Sequence, residues 1–97
     1  MKNLNQIKQI LKSQKPYLKK HYHVSEIGVF GSYIRGEQTE KSDVDILVDF
    51  TEVHGLFWFI EIEYYLSNLL GIKVDLVDRE GLKPNIGKHI LREVVYL

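Results

Sequence analysis

The sequence contains no cysteine, only two prolines and one tryptophan, and its 13 basic and 13 acidic residues leave no net charge. The absence of cysteine excludes disulfides and thiolate metal sites. No run is long and apolar enough to cross a membrane, and the first six residues lack the apolar core of a signal peptide. We therefore expect a cytoplasmic protein.

The remaining composition predicts one folded domain over residues 1–97. Hydrophobic residues make up 44% of the chain, which favours a globular core over disorder. The charges are segregated, because residues 1–25 carry six lysines and no acid, whereas residues 26–63 carry nine acids and two basic residues. An acidic middle is a poor surface for nucleic acid but a suitable one for a divalent metal, so we expect no direct contact with nucleic acid.

Hydrophobic periodicity predicts the element order α-α-β-β-α-β-α and an α/β (α+β) fold, in which helices pack on one face of a small mixed sheet. The predicted helices are 3–12, 14–22, 56–70 and 84–95, the predicted strands are 25–30, 43–50 and 72–77, and a helical turn is expected at 32–36. Pro16 separates the first two helices, because Ser13 is suited to cap a second segment with proline in its first turn. We expect the aspartate-bearing face of the strands to form an open polar wall.

The most informative feature is the pair Gly31 and Ser32, followed after ten residues by the acids Asp43 and Asp45. The two acids lie two residues apart on one predicted strand, so their carboxylates project to the same side. Asp75 of the next predicted strand joins them if the two strands are neighbours in a suitable register. Clustered carboxylates repel one another unless a cation neutralises them, and an all-oxygen set favours two Mg²⁺ ions, or Mn²⁺, over zinc.

The residues around this glycine suit a phosphate group. Gly31 permits close backbone approach, and Ser32 offers its N–H and hydroxyl at the start of a short helical turn. Arg35, one turn further on, is placed to contact a phosphate with two donors. Each feature alone is common in ordinary turns and strand edges, but their combination in this order favours a nucleotide-handling site.

Residues 31–36, Gly-Ser-Tyr-Ile-Arg-Gly, together with residues 42–46, Ser-Asp-Val-Asp-Ile, resemble the signature of the polymerase-beta-like nucleotidyltransferases in its minimal nucleotidyltransferase (MNT) form. The nucleotide-binding residues that the resemblance implies are Gly31, Ser32, Arg35 and Ser42. The metal-binding and catalytic residues that it implies are Asp43, Asp45 and Asp75. Asp75 is also expected to activate the acceptor hydroxyl.

The resemblance further implies an antitoxin that uses ATP and transfers AMP to a tyrosine of a helical HEPN ribonuclease toxin, with which it forms a hetero-oligomer. No acceptor-binding domain is evident after the predicted catalytic core, which favours a partner protein as acceptor. Two alternatives stay open. One is a small-molecule or nucleic-acid acceptor held with the help of a separate helical subunit, and the other is an antitoxin that neutralises by binding alone.

Two further features are open to interpretation from the sequence. The predicted helix 56–70 is apolar on more than one side, which indicates either a deeply buried helix or an interface with another protein. The four histidines are scattered without the spacing of metal ligands. Only His54, which follows the second predicted strand, is worth examining for a contact with a nucleotide.

Overall fold

The computed structural model describes residues 2–97, and within them a four-stranded mixed sheet is surrounded by helices. In chain order the elements are α1 (Leu4–Tyr22), β1 (Val24–Phe30), α2 (Ser32–Arg35), β2 (Val44–Phe50), α3 (Leu56–Leu70), β3 (Val74–Asp78), a 3₁₀ turn (Arg79–Gly81), α4 (Pro84–Glu93) and β4 (Val95–Tyr96). The strand order is β3-β2-β1-β4, in which β2 and β3 are parallel and the other neighbours antiparallel. The predicted fold class is confirmed. None of the helices in residues 2–97 has the length and apolar character needed to cross a bilayer.

The N-terminal region forms one continuous helix, so the predicted break at Pro16 is wrong. A proline inside a helix costs about 3 kcal/mol, and the Ser13 hydroxyl donates to the Ile10 carbonyl (2.7 Å) instead of capping a second helix. The buried residues of α1, on both sides of the proline, are Ile7, Leu11, Leu18 and Tyr22. Burial of each large apolar side chain contributes about 1.5–3 kcal/mol, which offsets the local cost of the proline.

The main core lies between the sheet and the helices α1 and α3. Alternate residues of β2 enter it, and the buried ones are Val44, Ile46 and Val48. From α3, the buried residues are Ile62, Leu66 and Leu70. The other side of α3 exposes Leu56, Phe57, Ile60 and Tyr64. The helix is therefore part of the core on one side and exposes apolar side chains on the other. The interpretation as a buried helix holds for the first side, and an interface on the second side stays a prediction.

The opposite face of the sheet is not open along its whole length. Phe30 and Leu47 lie on that face, and both are buried. At Gly28, on the same face, an added Cβ would lie 2.6 Å from Cγ2 of Val94, so the segment after α4 packs directly on β1. The expectation of an open polar wall is therefore correct only around the acids.

The C-terminal helix is shorter than predicted and ends at Glu93. Its apolar periodicity continues into Val94 and Val95, but the chain turns extended there, and β4 pairs with β1 through Val95 opposite Val29. Two consecutive β-branched residues favour a strand where an unpaired sheet edge is available. Glu93, at the end of α4, lies near Asp45 of β2, and both residues line one cavity.

Candidate active site

The register of the two parallel strands brings two acids side by side. Asp45 of β2 is the Cα partner of Asp75 of β3, and residues directly opposite one another in neighbouring strands share a face of the sheet. Asp43 lies one residue before β2, where the Val44 amide donates to the Lys73 carbonyl (2.9 Å) and fixes the start of the strand. The parallel pairing thus creates the neighbourhood of acids that the sequence predicts.

The surroundings of Asp45 shift the pKa of its carboxyl. Its pKa is raised to about 6, first by burial and then by the negative charges of Asp75 and Asp43, while Arg35 acts in the opposite direction. Asp75 is exposed and Asp43 is half-buried. The centre of the acidic group is therefore a partly desolvated carboxylate, flanked by two better solvated ones.

Gly31 and Asp45 are in close contact. Gly31 has φ 80° and ψ −153°, a backbone conformation available almost only to glycine. A Cβ added at this residue would lie 2.0 Å from Oδ2 of Asp45, which leaves no room for any side chain. The glycine of the predicted motif is therefore required twice, for the turn and for the carboxylate that packs against it.

Ser32 begins α2 directly after this turn. Within residues 2–97, neither its amide nor its hydroxyl donates to a protein acceptor, so both donors are available to a ligand. The short helix is closed by the Gly31 carbonyl, which accepts from the amides of Ile34 (3.0 Å) and Arg35 (3.2 Å). The turn therefore presents free donors beside Asp45, as an anion site requires.

Arg35 is held between two glutamates. Its Nε donates to Glu37, and its Nη1 donates to Oε1 of Glu93 at 2.6 Å. The other carboxylate oxygen of Glu93 accepts from the Gly31 amide at 2.8 Å. Sequence reasoning missed Glu93, because an acid in the last turn of a distant helix carries no local signal. An unpaired amide in the Gly31 turn indicates that some acceptor is needed but not which one.

Ser42 is engaged in its own loop. Its Oγ accepts from the Thr39 amide at 2.8 Å, and its amide donates to the Thr39 carbonyl at 3.1 Å. The residue lines a cavity of about 470 Å³ together with Asp43 and Lys73, and the Lys73 ammonium lies 3.9 Å from Oδ2 of Asp43. The hydroxyl of Ser42 therefore orders the loop that leads into the first acid.

His54 lies at the far end of β2 from the acids. Its Nε2 is 3.3 Å from Oδ2 of Asp78, and its ring packs on Phe50 and Phe59. The seven residues of β2 span about 20 Å at roughly 3.3 Å per residue. His54 therefore has a packing role away from Asp45, and its contacts within residues 2–97 give no indication of nucleotide binding.

Comparison with known proteins identifies the family of this chain. Residues 4–97 match the family model of the nucleotidyltransferase domain. The chain belongs to this family. MntA, a protein adenylyltransferase of Thermococcus cleftensis, is 56% identical over 97 residues, which make up 100% of this chain and 98% of that protein.

Solved structures agree with the family. One that is provisionally assigned as a minimal nucleotidyltransferase is 34% identical, has a TM-score of 0.75, and covers 96% of this chain and 90% of its own. A crystal structure of a toxin–antitoxin with AMP-PNP is 26% identical, has a TM-score of 0.71, and covers 95% of this chain and 69% of its own. The prediction of a nucleotidyltransferase is confirmed at the level of family and enzyme class.

The metal that this nucleotidyltransferase family implies fits the donors present. They are carboxylates, which Mg²⁺ prefers. The pKa of Asp45 is raised first by burial and then by the negative charges of Asp75 and Asp43, and a bound cation would counteract both effects. Among residues 2–97, no three His, Asp or Glu side chains converge in a geometry that holds an ion. Mg²⁺ is usually bound by one or two carboxylates plus water and substrate phosphates, so the nucleotidyltransferase site does not require a complete protein cage.

Proposed function

We propose that this protein is a Mg²⁺-dependent adenylyltransferase that uses ATP and acts as the antitoxin of a toxin–antitoxin pair. The acceptor is a tyrosine of a HEPN-type toxin, with which the protein forms a hetero-oligomer. The observation that carries the proposal is the register of Asp45 opposite Asp75, beside a glycine–serine turn with free donors. The similarity to MntA over the whole chain and to a toxin–antitoxin with AMP-PNP supports it.

The proposed roles divide between anion binding and metal binding. Ser32 donates its amide and hydroxyl to the triphosphate, and the remaining N–H groups of Arg35 contact the same group. Asp43 and Asp45 would hold Mg²⁺, with Mn²⁺ as a substitute, and Asp75 would serve as a third ligand once the ion is bound. Two such ions, when bound, would neutralise the phosphate charge and stabilise the attacking and leaving oxygens.

The transfer itself needs one base. The tyrosine oxygen forms a bond to the α-phosphorus, the bond from that phosphorus to the bridging oxygen breaks, and pyrophosphate leaves. The proton of the tyrosine hydroxyl passes to the Asp75 carboxylate. Asp75 is the exposed member of the acidic group, which suits it to meet a side chain presented by another protein.

The shape of the site favours a protein acceptor over a small molecule. The cavities that border the acids are about 310 and 470 Å³ and open broadly to solvent. A small molecule is normally held with most of its surface buried, whereas a partner protein brings its own surface to a shallow site. Specificity for the acceptor therefore comes from the surface of the partner.

The test is to mix the protein with its toxin partner, ATP and Mg²⁺ and to measure the intact mass of the partner. The expected result is an AMP adduct, absent with Asp45→Asn and present with Asp49→Asn, which makes the same change four residues further along β2. Transfer to an alcohol without any protein acceptor would support the small-molecule alternative. Neutralisation that survives Asp43→Asn and Asp45→Asn, with no adduct, would overturn catalysis as the mechanism.

A further inference from the structure

Glu93 joins three parts of the molecule through one carboxylate. It is the last residue of α4, and its side chain is 22% exposed. One oxygen accepts from the Gly31 amide (2.8 Å) and the other from Nη1 of Arg35 (2.6 Å). These contacts cross 62 and 58 residues of sequence, so they fix the end of α4 against the turn that begins α2.

The contact with Glu93 orients the Arg35 guanidinium and leaves some of its N–H donors unoccupied. An arginine carries five N–H donors in a rigid fork, and here Nε is taken by Glu37 and Nη1 by Glu93. The Nη2 donors are not among those pairs, and half of the side chain is exposed. The two glutamates therefore hold the fork in one orientation and leave its outer edge, which carries the Nη2 donors, outside both ion pairs.

The second contact of Glu93 is with the backbone amide of Gly31, which belongs to the same site. The Gly31 amide lies in the turn that packs against Asp45 and precedes the free amide of Ser32. An acceptor for this amide stabilises the one backbone conformation that leaves room for the Asp45 carboxylate. A charged acceptor makes such a hydrogen bond roughly twice as strong as a neutral one.

We propose that Glu93 is a positioning residue for the triphosphate: it holds the Gly31 turn and the Arg35 guanidinium in the arrangement that binds the nucleotide. The inference rests on the proposed function, since it assigns a role within that site. It makes the end of α4 part of the nucleotide-binding apparatus, although Glu93 lies 48 residues after Asp45 in the sequence.

A competing role for Glu93 predicts the opposite effect on nucleotide binding. A carboxylate on Gly31 and Arg35 occupies donors that a phosphate group would use, so it would compete with the nucleotide, and its removal would tighten binding. Positioning is favoured because Ser32 and the outer edge of Arg35 keep free donors while Glu93 is in place. The two roles predict changes in nucleotide affinity of opposite sign.

The experiment measures affinity for Mg-AMP-PNP by calorimetry and KM and kcat for ATP in AMP transfer. Glu93→Gln keeps an acceptor for the Gly31 amide but loses the charge that faces Arg35, and Glu93→Ala loses both. We expect about a tenfold rise in Kd and KM for Glu93→Gln and a larger rise for Glu93→Ala, with a smaller change in kcat. Glu26→Gln, an exposed glutamate of β1, is the matched control and should leave both constants unchanged.

A double-mutant cycle separates positioning from general destabilisation. Since Glu93 acts in part through Arg35, Glu93→Gln should add much less than tenfold to the KM of Arg35→Ala. Melting curves and the amide ¹H–¹⁵N resonance of Gly31 report whether a variant stays folded and whether this hydrogen bond is lost. Tighter nucleotide binding by Glu93→Gln, or full additivity with Arg35→Ala, would overturn the inference. If the wild-type protein itself neither binds the nucleotide nor transfers AMP, the proposed function fails instead.

Discussion

Asp45 on β2 and Asp75 on β3 face each other in the register of the only parallel strand pair within residues 2–97. A parallel pair puts residues of two strands that are distant in sequence at the same level of the sheet. The negative charge of Asp75 is accordingly the first charge, after burial, that raises the pKa of Asp45. The acids are placed by strand pairing, so their proximity does not depend on a flexible loop.

Replacing Asp45 should separate activity from stability. Asp45→Asn removes an oxygen of the proposed metal site and should abolish AMP transfer, but it also relieves repulsion from Asp75 and Asp43. In metal-free buffer at neutral pH we expect the free energy of unfolding to stay equal or rise by about 1 kcal/mol. Urea unfolding of the two proteins checks this. A clear fall in the urea midpoint would contradict the electrostatic account of the site.

The stability of the protein should depend on pH through the titration of Asp45. Asp45 has a folded pKa of about 6 against an unfolded value of about 3.9, so the folded state binds the proton more tightly. Its contribution to stability is therefore complete below about pH 4 and is lost as the pH rises through 6. Melting temperatures between pH 4 and 7 should show this loss in the wild type and not in Asp45→Asn. Added Mg²⁺ should counteract the loss at the upper end of the range.

Gly31 should tolerate no side chain at all. Gly31→Ala forces an alanine to φ +80° and puts its Cβ 2.0 Å from the Asp45 carboxylate, so we expect a loss of about 3 kcal/mol in unfolding free energy and no activity. Gly36→Ala is the matched control. It has a similar φ of +70° with nothing within 4 Å, and should cost about 1 kcal/mol while activity is retained. Equal costs for the two variants would show that the contact with Asp45 is unimportant.

Pro16 should be a destabilising residue that the fold tolerates. Pro16→Ala restores an amide to the middle of α1 and should raise the free energy of unfolding by up to about 3 kcal/mol without affecting AMP transfer. Ser13→Ala, one turn earlier on the exposed side of α1, should change stability by no more than about 0.5 kcal/mol. Denaturant midpoints at unchanged slope measure both. An unaltered midpoint for Pro16→Ala would indicate that the helix has already compensated for the missing hydrogen bond.

Local patterns predicted most of the fold and the centre of the candidate site. Alternation along 43–50 assigned Asp45 to one face and Val44 and Ile46 to the other, and the strand has that arrangement. Such patterns depend on neighbouring residues alone, which is why they can be interpreted from one sequence. The pairing of Asp45 with Asp75 required in addition that two predicted strands be neighbours in a suitable register, and the parallel pairing of β2 and β3 has that register.

The incorrect or missing predictions each depended on competition with a distant part of the chain. The break at Pro16 did not occur because apolar residues on both sides of it are buried in the same core. The helix predicted to reach residue 95 ended early because the edge of β1 offered hydrogen bonds to Val95. Glu93 was not predicted as a site residue because its partners lie about sixty residues away in the sequence.

Asp45 and Asp75 lie on strands of different local stability, because β2 is central in the sheet and β3 lies at its edge. β2 has a hydrogen-bonded neighbour on each side, whereas β3 is bonded in the sheet to β2 alone. Border strands open locally more easily than central ones, and amide exchange with solvent deuterium reports this. In the proposed mechanism, Asp45 would therefore keep a fixed position relative to the α-phosphorus, and Asp75, on the strand that opens more easily, would retain the freedom to follow the acceptor hydroxyl.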